Sequence, residues 1–249
     1  MMQDKPIRTS VLGIPVDCVT MQEARIYAER LIEGGLAGNY ILAINPEKVM
    51  VLRKDETLRK MFQQAALLIP DGIGVVCAMR WLRGFKAVRV PGAELMPELC
   101  QLAAAKGYGI FLFGSKEEVN REASEKLCQR YPGLKIVGRA NGYLTEDEMP
   151  GLVERINASG AEILFVALGS PKQEQWIRRW CPELNVKVCQ GIGGTLDTIV
   201  GTVKRAPAFF CRFGLEWFYR LIADPRRLRR QIVLPVFALL VVKEKLFGR

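Results

Sequence analysis

The stretch Leu67-Leu68-Ile69-Pro70-Asp71-Gly72-Ile73-Gly74 constrains the chain more than any other. An apolar run stops at Pro-Asp-Gly, and a helix-compatible segment resumes at Ile73. That pattern reads as a buried strand, a tight turn and a helix start. Asp71 then stands at the strand's carboxyl end, the edge of an open α/β sheet where ligands bind. Taken alone, an Asp there is accounted for as the N-cap of the next helix. Two other strand ends repeat the design: Asn45-Pro46 and Ser170-Pro171 each set a capping residue where an apolar run stops and a helix opens.

Along the chain, strand-like and helical segments alternate. Ser10 to Val16 reads as an opening strand or hairpin, and Thr20 to Glu23 as a capping box that starts a helix ending near Gly34-Gly35. Strands are expected at Asn39 to Ile44, before Asp71, and at Gly109 to Phe113, Leu134 to Val137, Glu162 to Leu168 and Val186 to Gln190. One helical stretch runs through Val49, Leu52 and Leu58. Two more capping boxes are expected, at Ser115 to Glu118 and Thr145 to Glu148. Several strands are apolar on both faces, so the fold is expected to be a Rossmann-like, doubly wound, mostly parallel α/β sheet with helices on both faces. This core spans residues 1–204. Residues 205–249 break the alternation. An aromatic stretch there is followed by Arg226, Arg227, Arg229 and Arg230, and then by the apolar run Ile232 to Val242, too short to span a bilayer. Basic-then-apolar order suits a helix lying in a membrane interface. A helical appendage packed on the body accounts for it equally well.

The formal charge of +10 points to an anionic partner: nucleic acid, a phosphorylated substrate or a membrane surface. Histidine is absent, which removes His-based triads and the common zinc patterns. The seven cysteines are scattered and odd in number, as in a reduced intracellular protein. Met1 to Pro6 lacks a signal-like apolar run, so the expected location is the cytoplasmic side.

Helix N-termini carry unpaired N–H groups and a positive dipole end, and several converging on one crevice suit phosphate groups. The turn from Gly191 to Gly194 adds a place where backbone approaches a ligand closely. The residues therefore imply a nucleotide or diphosphate site. A dehydrogenase fingerprint fails, because Gly191-Ile192-Gly193 continues to Leu196 where the third glycine belongs. No Walker A or Asp-x-Asp sequence exists, and a site without metal or other cofactor is expected.

Asn45-Pro46-Glu47, Ile69-Pro70-Asp71-Gly72, Arg89-Val90-Pro91-Gly92, Gly114-Ser115, Asn141-Gly142-Tyr143, Gly169-Ser170-Pro171-Lys172-Gln173-Glu174 and Gly191-Ile192-Gly193-Gly194 occur in this order. The set resembles the WecG/TagA/CpsF glycosyltransferases from about Val11 onward. What that resemblance implies is an inverting, metal-independent transfer from a UDP-sugar to a polyprenyl-diphosphate-linked sugar, by a protein peripheral on the inner face of the cell membrane. The expected donor is UDP-N-acetyl-D-mannosamine and the acceptor undecaprenyl-diphosphate-GlcNAc. UDP-ManNAc uronate and UDP-glucose are the alternatives, because Ala43 replaces a Thr common in relatives.

By the same resemblance, Asp71 is the catalytic base. Asn45, Gly72, Arg89, Lys172, Gln173 and Glu174 hold donor sugar or acceptor. Asn141, Gly142, Tyr143, Gly169, Gly191, Gly193, Gly194 and Asp197 hold the nucleotide. Arg220, Arg227 and Arg230 neutralise diphosphate or meet the membrane. The resemblance allows a homo-oligomer and implies no nucleic-acid partner.

Two rivals from other classes stand beside this reading. A nucleic-acid-binding protein rests on the charge alone, and the charge concentrates near the apolar tail rather than among spread aromatics. A glycosidase needs paired carboxylates, and Asp71 has no evident second one.

Overall fold

A computed structural model describes residues 5–203, 207, 209–210, 216–223 and 231–247. Its centre is a six-stranded, wholly parallel sheet. The strands are β3 (Asn39–Ile44), β4 (Leu67–Pro70), β5 (Gly109–Gly114), β6 (Lys135–Ala140), β7 (Ile163–Ala167) and β8 (Val188–Gly191), in spatial order β4-β3-β8-β7-β5-β6. A separate antiparallel hairpin, β1 (Ile7–Val11) and β2 (Ile14–Cys18), precedes it.

Alternation along each strand builds the two halves of the core. Leu42, Ile44, Leu68, Phe111, Phe113, Leu164, Val166 and Cys189 face one side. Ile41, Leu67, Ile69, Ile110, Leu112, Ile163, Phe165 and Val188 face the other. Period-two alternation with both sides apolar forces helices onto both faces. The first face is covered by α2 (Pro46–Leu52), α3 (Glu56–Gln64), α4 (Ile73–Arg83), α7 (Met149–Ala158) and α8 (Lys172–Trp180). The second is covered by α1 (Met21–Glu33), α5 (Gly92–Lys106), α6 (Glu117–Arg130) and α9 (Thr195–Val200). Neighbouring strands β7 and β5 thus send α8 and α6 to opposite faces, and β3 and β8 do the same with α2 and α9. Crevices open at such reversals.

The structure corrects the reading of several junctions. The stretch through Val49, Leu52 and Leu58 is two helices, because Asp55 accepts from Leu58 N–H and caps α3 anew. Thr20 and Thr145 form their capping boxes. Ser115 does not: the N-cap of α6 is Lys116, and Ser115 sits at φ +55° with its hydroxyl turned elsewhere. Neither Asp71 nor Ser170 caps its helix; Gly72 and Pro171 occupy those positions. Asn45 does cap α2, accepting from Lys48 N–H at 2.8 Å.

Past residue 203 the described segments include two helices, α10 (Glu216–Ala223) and α11 (Val233–Phe247). Gln231 Nε2 donates to Trp217 O at 2.9 Å, which ties the two segments together. The α11 helix packs on the body: Phe237 and Val241 join the core beside α2 and α4. Glu244 fixes its far end. The Glu244 carboxylate accepts from Leu12 N–H in the β1–β2 turn (3.0 Å) and from the Arg83 guanidinium at the end of α4 (2.6 Å). Among the described residues no helix is long and apolar enough to cross a membrane.

The hairpin is held by one buried carboxylate. Asp17, 1% exposed, accepts from Arg8 Nε (2.7 Å) and Nη2 (2.9 Å), and from Leu68 N–H of edge strand β4 (2.7 Å). Arg8 also donates to Ala65 O and Gln63 O. Asp17→Ala strands a guanidinium and a buried N–H, and should cost ~3 kcal/mol of stability. Urea unfolding checks this; a loss under about 1 kcal/mol, the value of an exposed pair, would show that Asp17 is not the anchor.

Candidate active site

Among the described residues three helices begin with a side-chain cap: Thr20 on α1, Asn45 on α2 and Asp55 on α3. The helices that open along the sheet's carboxyl edge after β4, β5 and β7 do not. Helices α4, α5, α6 and α8 start at Gly72, Pro91, Lys116 and Pro171 with no side-chain cap bond. Their positive dipole ends therefore lie along that edge, although Gly92 N–H is taken by Asp71 and Gln173 N–H by Gly169 O. Nearby anionic groups on a ligand can meet them directly.

Asp71 lies among these termini. Its backbone N–H donates to Ile44 O (2.8 Å), and Val90 N–H donates to Pro70 O (2.9 Å), which brings the loop before α5 across the end of β4. Arg89 Nε then stands 3.8 Å from Asp71 Oδ1, and Gly92 N–H donates to Asp71 Oδ2 at 3.4 Å. The Asp71 side chain is 30% exposed and that of Arg89 19%, a carboxylate at a mouth rather than in the core. Gly72 allows the turn: φ is +136°, and a Cβ there would meet Pro46 Cδ at 3.3 Å and Asn45 Cβ at 3.4 Å. Asn45, Asp71 and Arg89 are thus brought together. Ala43, two residues before Asn45, lies 3.7 Å from where a Gly92 Cβ would be.

The second group surrounds the turn after β8. Gln173 and Glu174 are buried, at 3% and 2% exposure, and engaged within the protein, whereas Lys172 is exposed. Gln173 Oε1 accepts from Gly193 N–H (2.9 Å), and Gln173 Nε2 donates to Glu174 Oε1 (3.1 Å). Lys48 of α2 completes the chain with an ion pair to Glu174 Oε1 at 2.7 Å. A Cβ at Gly191 would lie 2.7 Å from Gln173 Nε2, so only glycine leaves room for this side chain. Gly169 and Gly193 adopt positive φ. Gly194 is exposed.

A third group lies at the ends of β5 and β6. Ser115 Oγ donates to Asp197 Oδ2 at 2.9 Å. Gly142 N–H donates to Ser115 O (2.8 Å), and Asn141 Oδ1 accepts from Tyr143 N–H (2.9 Å), leaving the Tyr143 ring exposed. Asn141, Gly142, Tyr143 and Asp197 therefore share one neighbourhood. Beside it Arg139, and after it Asn141, hold the Glu117 carboxyl below its usual range. Cysteine nucleophiles do not fit the core: burial pushes the Cys100 and Cys181 thiols up to about 12 and that of Cys189 well above its usual value.

Of the tail arginines, Arg220 falls on α10, but its side chain lies outside the described residues, as do Arg227 and Arg230 entirely. Phe237 of α11 does reach the site's flank. A side chain at Gly74 would meet Phe237 Cε1 at 3.6 Å and Pro46 Cγ at 2.8 Å. Among the described residues no group of three or more His, Cys, Asp or Glu side chains could hold a metal ion. Sequence reading missed Lys48, Ser115 as a partner of Asp197, and Gln190, which donates to Gly92 O at 3.0 Å.

A family model described as "Glycosyl transferase WecG/TagA/CpsF family" matches residues 9–249. Two curated relatives carry the name N-acetylglucosaminyldiphosphoundecaprenol N-acetyl-beta-D-mannosaminyltransferase. The one from Bacillus subtilis (strain 168) is 36% identical over 208 residues, 84% of this chain and 80% of the relative. The one from Staphylococcus aureus (strain MRSA252) is 33% identical over 240 residues, 96% and 93% of the two chains.

The Lys48–Glu174 pair generates its own test. Both side chains are largely buried, 13% and 3% exposed, so removing one partner strands the other. Lys48→Met should cost ~3 kcal/mol, and adding Glu174→Leu should recover most of that loss. Denaturant unfolding of the two singles and the double reads the coupling. Simple additivity would mean that the pair does not join α2 to α8.

Proposed function

The chain belongs to the WecG/TagA/CpsF glycosyl transferase family, and from that membership and the site's geometry we propose the transfer of N-acetyl-D-mannosamine from its UDP donor to undecaprenyl-diphosphate-linked GlcNAc. The observation that carries the mechanism is the setting of Asp71, between Gly92 N–H and Arg89 at the mouth of a crevice lined by helix N-termini. In this reading Asp71 takes the proton of the acceptor hydroxyl as its oxygen attacks the anomeric carbon. The new bond forms on the face opposite the leaving UDP, so the configuration inverts. The breaking bond leaves its electron pair on the diphosphate. The uncapped starts of α4, α5, α6 and α8 favour that growing negative charge.

The names of both relatives support N-acetylmannosamine as the sugar and an undecaprenyl-diphosphate acceptor. Ala43 beside the start of α5 keeps UDP-ManNAc uronate and UDP-glucose as alternative donors. The group of Ser115, Asn141 to Tyr143 and Asp197 suits the nucleotide, and Asn45 and Arg89 suit the sugars, with Gln173 acting through the Gly193 turn that it holds. Metal independence follows from the same reading, in which backbone dipoles and arginines meet the diphosphate. We assign the net positive charge to diphosphates and anionic lipid rather than to nucleic acid.

Contact with the membrane belongs to α10 and α11. While Phe237 and Val241 face the body, Val236, Leu239, Val242, Leu246 and Phe247 stay exposed on α11, and Trp217, Phe218 and Ile222 stay exposed on α10. Apolar faces beside a basic segment fit an interfacial anchor. Arg220, Arg227 and Arg230 are the proposed diphosphate partners from this region.

Two experiments test the reading. With EDTA present, wild-type protein should release UDP from UDP-N-acetylmannosamine and a lipid-diphosphate-GlcNAc, and Asp71→Asn should be about 100- to 10,000-fold slower. An Asp71→Asn enzyme at wild-type turnover removes Asp71 from the chemistry. For the membrane, Leu239→Asp with Val242→Asp spares the packed side of α11. The pair should keep the melting temperature while reducing sedimentation with phosphatidylglycerol vesicles. Undiminished sedimentation places the anchor elsewhere.

A further inference from the structure

Among the described residues of the six strands, Gln190 is the only buried side chain with a polar amide or charged head; it is 1% exposed. It sits on β8, with Ile41 of β3 on one side and Phe165 of β7 on the other. An amide there is costly. Its Oε1 is buried without a hydrogen-bond partner among the described residues, a penalty that an apolar side chain of equal volume avoids. The other half of the amide is engaged, with Nε2 donating to Gly92 O at 3.0 Å.

Gly92 is the first residue of α5 and also the residue whose N–H meets Asp71 Oδ2. Its carbonyl is held from the sheet and its N–H is presented to the carboxylate. Arg89 arrives on the same segment, three residues earlier. We propose that Gln190 is a positioning residue for the transfer: by holding Gly92 O from the centre of the sheet, it fixes the N–H that orients Asp71. The start of α5 has no side-chain N-cap to fasten it instead. Val90 N–H on Pro70 O secures the loop two residues earlier, and Glu94 and Leu95 N–H hold Pro91 O; Gln190 adds the side-chain hold on the Gly92 carbonyl from the sheet. This inference rests on Asp71 as the base, and it predicts a loss in turnover rather than in binding.

The test is steady-state UDP release by the full chain, with UDP-N-acetylmannosamine and a lipid-diphosphate-GlcNAc. Gln190→Met keeps the volume and removes the donor; Gln190→Asn keeps the amide and withdraws it by one methylene. Each should lower kcat about 10- to 100-fold, the effect of a small misplacement, while KM for the UDP-sugar stays within about twofold. Gln190→Glu should recover much of the loss, because burial favours the neutral carboxyl, which still donates to Gly92 O. Added to Asp71→Asn, Gln190→Met should cost no more than about twofold, since its effect passes through the carboxylate. A kcat within about twofold of wild type in either folded variant, with Asp71→Asn slowed about 100-fold or more, overturns the positioning role alone. An active Asp71→Asn overturns the base assignment and this inference with it. A full additional loss in the double variant assigns Gln190 a purely structural part and overturns the proposal.

Discussion

A strand covered by helices on both faces has no place for a polar side chain except at its ends. That constraint shapes the rest of this molecule. All six strands run in one direction, so the polar residues following β3, β4, β5, β7 and β8 collect at a single edge. Asn45, Asp71, Ser115, Gln173 and Asp197 come from five separate junctions and become neighbours or near neighbours for that reason. The exceptions are informative. Asp17 is buried because it closes the open edge of β4, and Gln190 because it grips the start of α5.

Much of the architecture was legible because it is local. Apolar alternation marks the strands, and Thr20 and Thr145 with Glu three residues on form the boxes their spacing implies. Asn45 before Pro46 caps as expected. Ser115 has the same local signature as Thr20 yet does not cap, because Asp197, far along the chain, takes its hydroxyl. Asp71 likewise turns to Gly92 and Arg89 instead of to its own helix. At these two proposed site positions the capping motif loses to a tertiary partner, whereas Asn45 keeps its cap. Lys48, Gln190 and Glu244 left no local sign, since Glu174, Gly92 and Leu12 are remote in sequence. Gln173 and Glu174 stood out as a motif, but only the fold shows that they face each other, Lys48 and the Gly193 turn rather than open space.

Capping also sets two groups of helices apart. Helices α1, α2 and α3 satisfy their own first N–H groups with a side chain and are self-contained. Helices α4, α5, α6 and α8 start along one edge without a side-chain N-cap, giving up a typical cap contribution of ~1 kcal/mol each. In the proposed reaction the backbone N–H groups at that edge meet the donor's diphosphate. Backbone N–H groups cannot move away or change protonation, so they favour a diphosphate at any working pH. Asp71, which must accept a proton in the proposed reaction, is the group among them whose charge can change.

The contact of Glu244 with the β1–β2 turn, and of Phe237 with the flank of Pro46 and Gly74, joins segments from opposite ends of the described chain. During synthesis the ribosome delivers all six strands before α11. A nascent chain can therefore assemble its sheet and expose the crevice edge while the wall beside Asn45 and Asp71 is still missing. The apolar surface that α11 buries and the one it displays emerge together. Completion of the wall and acquisition of the α11 share of the proposed membrane-facing surface are thus a single event in the protein's biogenesis, and a chain truncated before α11 lacks both.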